Sequence, residues 1–231
     1  MNYKHFLITR FNLSLQFGCE FRDPDENPTL KILDEDYLEK RFEIFEKYTL
    51  KSISEQTVQD FTWIILFHKR TPGKFLKRIR DLKKRYDFED LYLDENELFY
   101  FSQYCAERGI SSDFYITSRI DNDDMIDKDY MKIIHDYADE DLQECFISFV
   151  NGAKLDLMSD KMYSIAWRSN HFITLVNSSN DTTVFDYIHS KITQEDMELV
   201  SIRTEVPMWI ELIHETNIFN RITPRDKLID K

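Results

Sequence analysis

One stretch, Phe61-Thr62-Trp63-Ile64-Ile65-Leu66-Phe67, limits what this chain can fold into more than any other. A strand with one wet face alternates apolar and polar residues. A strand that is apolar throughout must be covered on both sides, as in a central parallel sheet packed between helices. His5-Phe6-Leu7-Ile8-Thr9-Arg10 and Phe114-Tyr115-Ile116-Thr117 have strand length and composition too. Between the strands lie helical patterns. From Asp36 to about Ser52, Leu38, Phe42, Phe45 and Tyr48/Thr49 share one face. Lys74 to Tyr86 reads as a basic amphipathic helix with Phe75, Leu76, Ile79 and Leu82 inward. A further helix is expected over Glu95 to Arg108, ended by Gly109, and another over Asp127 to Ala138. Asp23-Pro24, Asn27-Pro28 and Thr71-Pro72-Gly73 mark loops. This order predicts an α/β, Rossmann-like fold with a mostly parallel central sheet flanked by helices.

The last third is less regular. Cys145 to Val150 and Lys161 to Trp167 read as strands around the turn-prone Asn151-Gly152, with another strand over Thr182 to Ile188. Pro207 to Ile213 reads as a short turn or helix bearing Trp209, and Arg221 to Lys231 as a peripheral tail. There is no internal repeat or clear linker, so one domain over 1–231 is expected.

With 42% hydrophobic residues and only 4 Gly and 5 Pro, the chain has material for a core and no disordered composition. Its formal charge of −13 disfavours broad contact with a nucleic-acid backbone, so no nucleic-acid partner is expected. Three widely spaced cysteines, Cys19, Cys105 and Cys145, suit a reducing compartment better than a disulfide framework. No signal-like N-terminus and no apolar stretch of membrane-spanning length is visible, so the expected location is the cytoplasm, with no transmembrane segment.

The chemistry concentrates in Tyr115-Ile116-Thr117-Ser118-Arg119-Ile120-Asp121-Asn122-Asp123-Asp124. Three carboxylates crowd into four residues at the carboxyl end of an expected strand, where open α/β sheets bind ligands. Each close pair repels by about 1 kcal/mol even in water-like surroundings. A divalent cation relieves that repulsion, and magnesium or manganese takes carboxylates together with substrate phosphates. Asp121, Asp123 and Asp124 are therefore candidate metal ligands, the alternative being a solvated loop that caps the helix at Asp127. Arg10 and Arg119, at strand ends, suit bidentate phosphate contacts, or salt bridges to the chain's many carboxylates. The basic helix Lys74 to Arg85 reads as a solvated face or a guide for an anionic acceptor.

In these segments the chain resembles the bacterial rhamnosyltransferase family, a group of glycosyltransferase-A-like proteins. The matching stretches are His5 to Asn12, Phe45 to Thr57, Asp60 to Phe67 with Thr71-Pro72, Tyr115 to Asp124, and Pro207-Met208-Trp209-Ile210-Glu211-Leu212-Ile213-His214-Glu215-Thr216-Asn217. The resemblance implies a nucleotide-diphosphate sugar donor, a saccharide or lipid-linked hydroxyl acceptor, and Mn or Mg as cofactor. It implies a donor-binding half over about 1–130 and an acceptor-side half over about 131–231. It assigns Asp121 and Asp123 to a DxD motif, places Thr9 and Arg10 beside the nucleotide, and offers His214, with His189 as competitor, as a late histidine completing the metal shell. For an inverting transfer, Asp186 and Glu211 are the candidate bases. Trp209 is a candidate sugar-stacking wall, against a place in the core. One departure is His68-Lys69-Arg70, where relatives usually carry an acidic residue after the second strand. The same carboxylates would also serve a two-metal nucleotidyltransferase, or merely cap a helix in an acidic binding module.

Overall fold

The computed structural model describes residues 2–13, 28–94, 97–140, 142–215, 217 and 221–229. Cys19 and the expected loop at Asp23-Pro24 lie outside them, as does Glu95, the expected start of a helix. In chain order the elements are β1 (Tyr3–Arg10), α1 (Pro28–Leu33), α2 (Glu35–Ile44), α3 (Leu50–Ser54), β2 (Thr62–His68), α4 (Gly73–Lys83), β3 (Glu89–Leu93), α5 (Phe101–Glu107) and β4 (Phe114–Arg119). They continue with β5 (Met125–Ile126), α6 (Tyr130–Glu140), β6 (Cys145–Phe149), β7 (Asn151–Asp156), β8 (Lys161–Ala166), β9 (Thr174–Asn177), β10 (Glu198–Ile202), β11 (Trp209–Ile213) and β12 (Lys227–Leu228). A π-helical turn, Phe45–Thr49, joins α2 to α3, so the single expected helix is one rod with a widened turn.

The main sheet has the order β10-β6-β9-β4-β1-β2-β3. Its β4-β1-β2-β3 block is parallel throughout, and β9 enters antiparallel between β4 and β6. The apolar run in β2 is covered on both faces, as its composition requires. Trp63, Ile65 and Phe67 join Leu38, Phe42, Phe75, Ile79 and Leu82 from α2 and α4. Ile64 and Leu66 join Phe6, Ile8, Phe101, Tyr104 and Cys105 on the other side. The one histidine in the apolar part of β1 has its ring nitrogens satisfied: His5 bridges His135 of α6 at 2.9 Å and Ser118 of β4 at 2.8 Å. Among the described residues, no helix is long and apolar enough to cross a membrane.

Several expected elements take another form. The helix expected over Glu95 to Arg108 is confined to α5, and before it Glu89–Leu93 forms an edge strand whose charged residues hid it. Gly109 does end α5, with φ of 62°. Asn151-Gly152 is no turn but the start of β7, which continues from β6 with only Val150 between them. Pro207 to Ile213 contains β11, parallel to β7 and antiparallel to β5, in a second sheet of order β12-β8-β7-β11-β5. Thr182 to Ile188 folds as a 3₁₀ turn, Val184–Asp186, because Thr183 and Asp186 cap each other. The tail is anchored: Lys154 donates to the Arg221 carbonyl at 2.9 Å and lies 3.2 Å from Asp226, while β12 pairs with β8.

Gly152 is required by packing. A Cβ there would meet Trp209 Cε2 at 2.1 Å. Trp209 cannot retreat, since it is fully buried, stacks on Phe172 and donates its indole N–H to the Phe149 carbonyl at 2.8 Å. Its place is the core, not a sugar-facing wall. Overpacking costs about 1–3 kcal/mol and more where nothing yields. Gly152→Ala is therefore expected to lower the urea midpoint of unfolding by at least that equivalent. An unchanged midpoint would show that the indole is not fixed.

Candidate active site

The acidic cluster hangs between two anchored strands. β4 ends at Arg119, the Ile120 amide still pairs with Ile8 of β1, and β5 begins at Met125. Asn122, buried, donates its side-chain amide to the Phe11 carbonyl, and the Asp124 amide turns back to the Asp121 carbonyl at 3.3 Å. The three carboxylates therefore point in different directions.

Asp124 is completely buried. One oxygen accepts from the Leu212 amide of β11 at 3.1 Å and the other lies 2.9 Å from His171 Nε2. Burial, and then the charges of Asp123, Asp121 and Glu211, push its carboxyl well above the usual range. Asp123 meets the opposite environment. Its Oδ2 accepts from Arg41 of α2 and from Asn217 at 3.2 Å, and lies 3.0 Å from His214 Nε2. Burial opposes its ionisation, but Arg41 and His214 outweigh this and bring it down to about 2. Asp121 is partly exposed, with Arg119 at 3.4 Å. There too burial is outweighed, by Arg119, His171 and Arg10, and the carboxyl is held below its usual range.

Asp121, Asp124 and His171 bring one ligand atom each to within 4.8 Å of one another. Ligands on opposite sides of a magnesium ion stand about 4.2 Å apart. A cation among them would meet two oxygens and one nitrogen, a donor set suiting manganese better than magnesium. His171 was missed by sequence reading because it sits in an unpatterned connection between β8 and β9. The signal was its neighbour: Asn170, fully buried, donates to Ser148, Phe149 and Trp167 and accepts from the Phe172 amide, which pins the turn. His214 does reach the cluster, but on Asp123 within the unit held by Arg41.

The two arginines converge on one ring. Arg10 and Arg119 place their guanidinium carbons 4.5 and 4.9 Å from the centre of Phe185, on the 3₁₀ turn. That turn is tied to β4 by the Val184 amide and Thr117 at 2.9 Å. Beside it a cavity of about 240 Å³ opens at the ends of β1, β2 and β3, with Arg10, His68, Asp94, Tyr100, Phe185 and Asp186 in its wall. Asp94, the residue after β3, lies in that wall. Thr9, by contrast, is fully buried and accepts from Trp63 Nε1 at 3.0 Å, so its side chain belongs to the core rather than beside a nucleotide.

Asp186 is exposed at the cavity, and its Oδ2 accepts from the Thr183 amide and hydroxyl at 2.6 and 3.1 Å. Glu211 is 4% exposed and lies 3.5 Å from Lys154, its carboxyl raised mainly by burial. His189 donates Nδ1–H to the Ser169 carbonyl at 3.0 Å, and burial lowers it to about 4.

The model of a family described as "Putative rhamnosyl transferase" matches residues 4–226. No curated protein matches the sequence. Among solved structures, S. aureus TarS residues 1–349 in complex with UDP-GlcNAc superposes with a TM-score of 0.52 at 10% identity, over 96% of this chain and 62% of that one. The same TarS fragment without a named ligand gives 0.50 at 9% identity, over 90% and 60%. The chain thus has a glycosyltransferase-A-like fold and spans about three fifths of the TarS fragment's length.

Asp124 yields a prediction with a definite sign. An acid whose folded pKa is raised is favourable to folding only below its unfolded value, and the loss grows as pH rises towards the folded value. Asp124→Asn keeps the acceptor for Leu212 and removes the charge. It is expected to raise the metal-free melting temperature at pH 7, about 2–4 °C for each kcal/mol relieved, with the gain fading below about pH 4. A fall at pH 7 would mean the carboxylate is already compensated.

Proposed function

The chain belongs to the putative rhamnosyl transferase family, and from that premise we propose that it is a metal-dependent glycosyltransferase moving a sugar, rhamnose in the family's name, from a nucleoside diphosphate to a hydroxyl acceptor. The observation carrying this reading is the Asp121, Asp124 and His171 donor set beside two arginines at the carboxyl ends of parallel strands. UDP-GlcNAc bound to TarS, which shares the fold, supports a nucleotide-sugar donor. The nucleoside occupies the cavity at the ends of β1, β2 and β3, with Asp94 available to the base and Tyr100 and Phe185 offering rings. Residues up to about 130 then supply most of the donor site, joined by His171 and Phe185, and the rest of the later half shapes the acceptor side, in surface polysaccharide synthesis.

Asp121, Asp124 and His171 would hold manganese or magnesium. A cation bound there supplies charge stabilisation to the departing diphosphate. Arg119 and Arg10 add fixed positive charge to the same oxygens, where little reorganisation is needed. Asp123 and His214 flank the site, and Asp123 neutralises Arg41, a buried cation that would otherwise repel the metal. In a direct displacement, the acceptor oxygen bonds to the anomeric carbon as that carbon's bond to the diphosphate oxygen breaks. The electron pair leaves with the nucleoside diphosphate, and the acceptor's proton passes to a carboxylate. Of the two candidate bases, Asp186 is open to solvent whereas Glu211 is sealed against Lys154.

Thermal melting with nucleotides tests the reading. Manganese with UDP or dTDP, at about a hundred times Kd, is expected to raise the melting temperature by roughly 5–10 °C. Asp121→Asn should remove that rise by deleting a ligand, and Asp123→Ala by exposing the Arg41 charge. Absence of a rise with every common nucleoside diphosphate, in manganese or magnesium, would refute the proposal.

A further inference from the structure

The chain has three tryptophans, and the fold accounts for two of them. Trp63 and Trp209 are 3% and 0% exposed, and their indole N–H groups donate to Thr9 and to the Phe149 carbonyl. Trp167 differs in each respect. It follows β8, is partly exposed, and its Nε1 has no hydrogen-bond partner among the described residues. A buried tryptophan ordinarily satisfies its N–H, and one that does not is suited to a place where one end is apolar and the other wet.

Trp167 also stands beside the cation site. Its ring meets His171 at 68° with centroids 6.3 Å apart and His189 at 76° and 5.5 Å, and the two histidine rings are 6.0 Å apart. His189 has a fixed polarity. The Ser169 carbonyl can only accept, so the shared proton sits on Nδ1 and the neutral ring leaves Nε2 as a lone-pair acceptor. No partner for that nitrogen is present among the described residues. A partly exposed indole, packed on the main core, and a neutral hydrogen-bond acceptor therefore stand side by side, next to a metal-ligand candidate.

We propose that Trp167 and His189 form the acceptor subsite, in which a neutral sugar ring lies on the indole and one of its hydroxyls donates to His189 Nε2. A pyranose has what this pair lacks: an apolar C–H face for the indole and O–H donors for the imidazole. Arg119 and Asp121 both act on His189 with opposite sign, so nothing in the pair selects an anionic acceptor. The inference rests on the glycosyltransferase reading and narrows its acceptor to a saccharide. Trp167 and His189 are positioning residues in it: they hold the acceptor without exchanging atoms with it.

The experiment is calorimetric titration of the full chain, saturated with manganese and UDP. Methyl glycosides of rhamnose, glucose, galactose and N-acetylglucosamine serve as probes, and inorganic phosphate as the anionic one. At least one glycoside is expected to bind and to change the tryptophan fluorescence. Trp167→Leu should weaken that binding about tenfold or more, the worth of a good aromatic contact, and His189→Ala several-fold. Both variants should keep the thermal response to manganese and UDP. Should Trp167→Leu fail to fold, His189→Ala, on a short surface turn, decides alone. Binding of no glycoside, binding untouched by either substitution, or preference for phosphate would each overturn the subsite. Failure of the donor reading shows separately, as loss of the manganese and UDP response in the unaltered chain.

Discussion

Everything around the site answers one electrostatic problem: three carboxylates within four residues at the end of β4, two of them buried. Their mutual repulsion must be countered, and the fold counters each differently. Asp123 is given a guanidinium, Asp121 a more distant arginine, and Asp124 only an amide and an imidazole. Charge balance is therefore nearly complete at one aspartate and deficient at the next. A dication would complete what the side chains leave undone, at the position where it could also face a diphosphate.

Much of this was legible in the amino-acid sequence because it rests on local patterns. The apolar run in β2 dictated a sheet covered on both faces, and Ile64 and Trp63 do part to opposite sides. The acidic cluster declared itself by charge density, and Arg10 and Arg119 by their places at strand ends. What stayed hidden depends on contacts between distant segments. His171 has no pattern around it, and only the saturated side chain of Asn170 fixes it near Asp124, 47 positions back. Gly152 looked like a turn because glycine in isolation means freedom, whereas here it means room for Trp209. The family resemblance places Thr9 beside a nucleotide, but the alternation of β1 turns it inward to Trp63.

The two halves expected from the sequence meet in the chemistry. The parallel block contributes Arg10, Arg119, Asp121 and the base-sized cavity, while later segments contribute His171, His189 and Trp167. Phe185 is the hinge pin of this arrangement: a ring from the later half on which both arginines of the earlier half rest. Cation–π contact thus fixes both guanidinium groups against one ring at the carboxyl ends of β1 and β4.

The short passage from β6 to β7 has a mechanical meaning. Val150 is the one residue between the two sheets, and both of its backbone groups are engaged, with Ile202 at 2.9 Å and Trp167 at 2.8 Å. The Phe149 carbonyl just before it takes hydrogen bonds from both Asn170 and Trp209. A joint with every backbone valence committed has no slack in which to bend. The two sheets are thus tied to each other at this point by backbone hydrogen bonds on both sides of Val150.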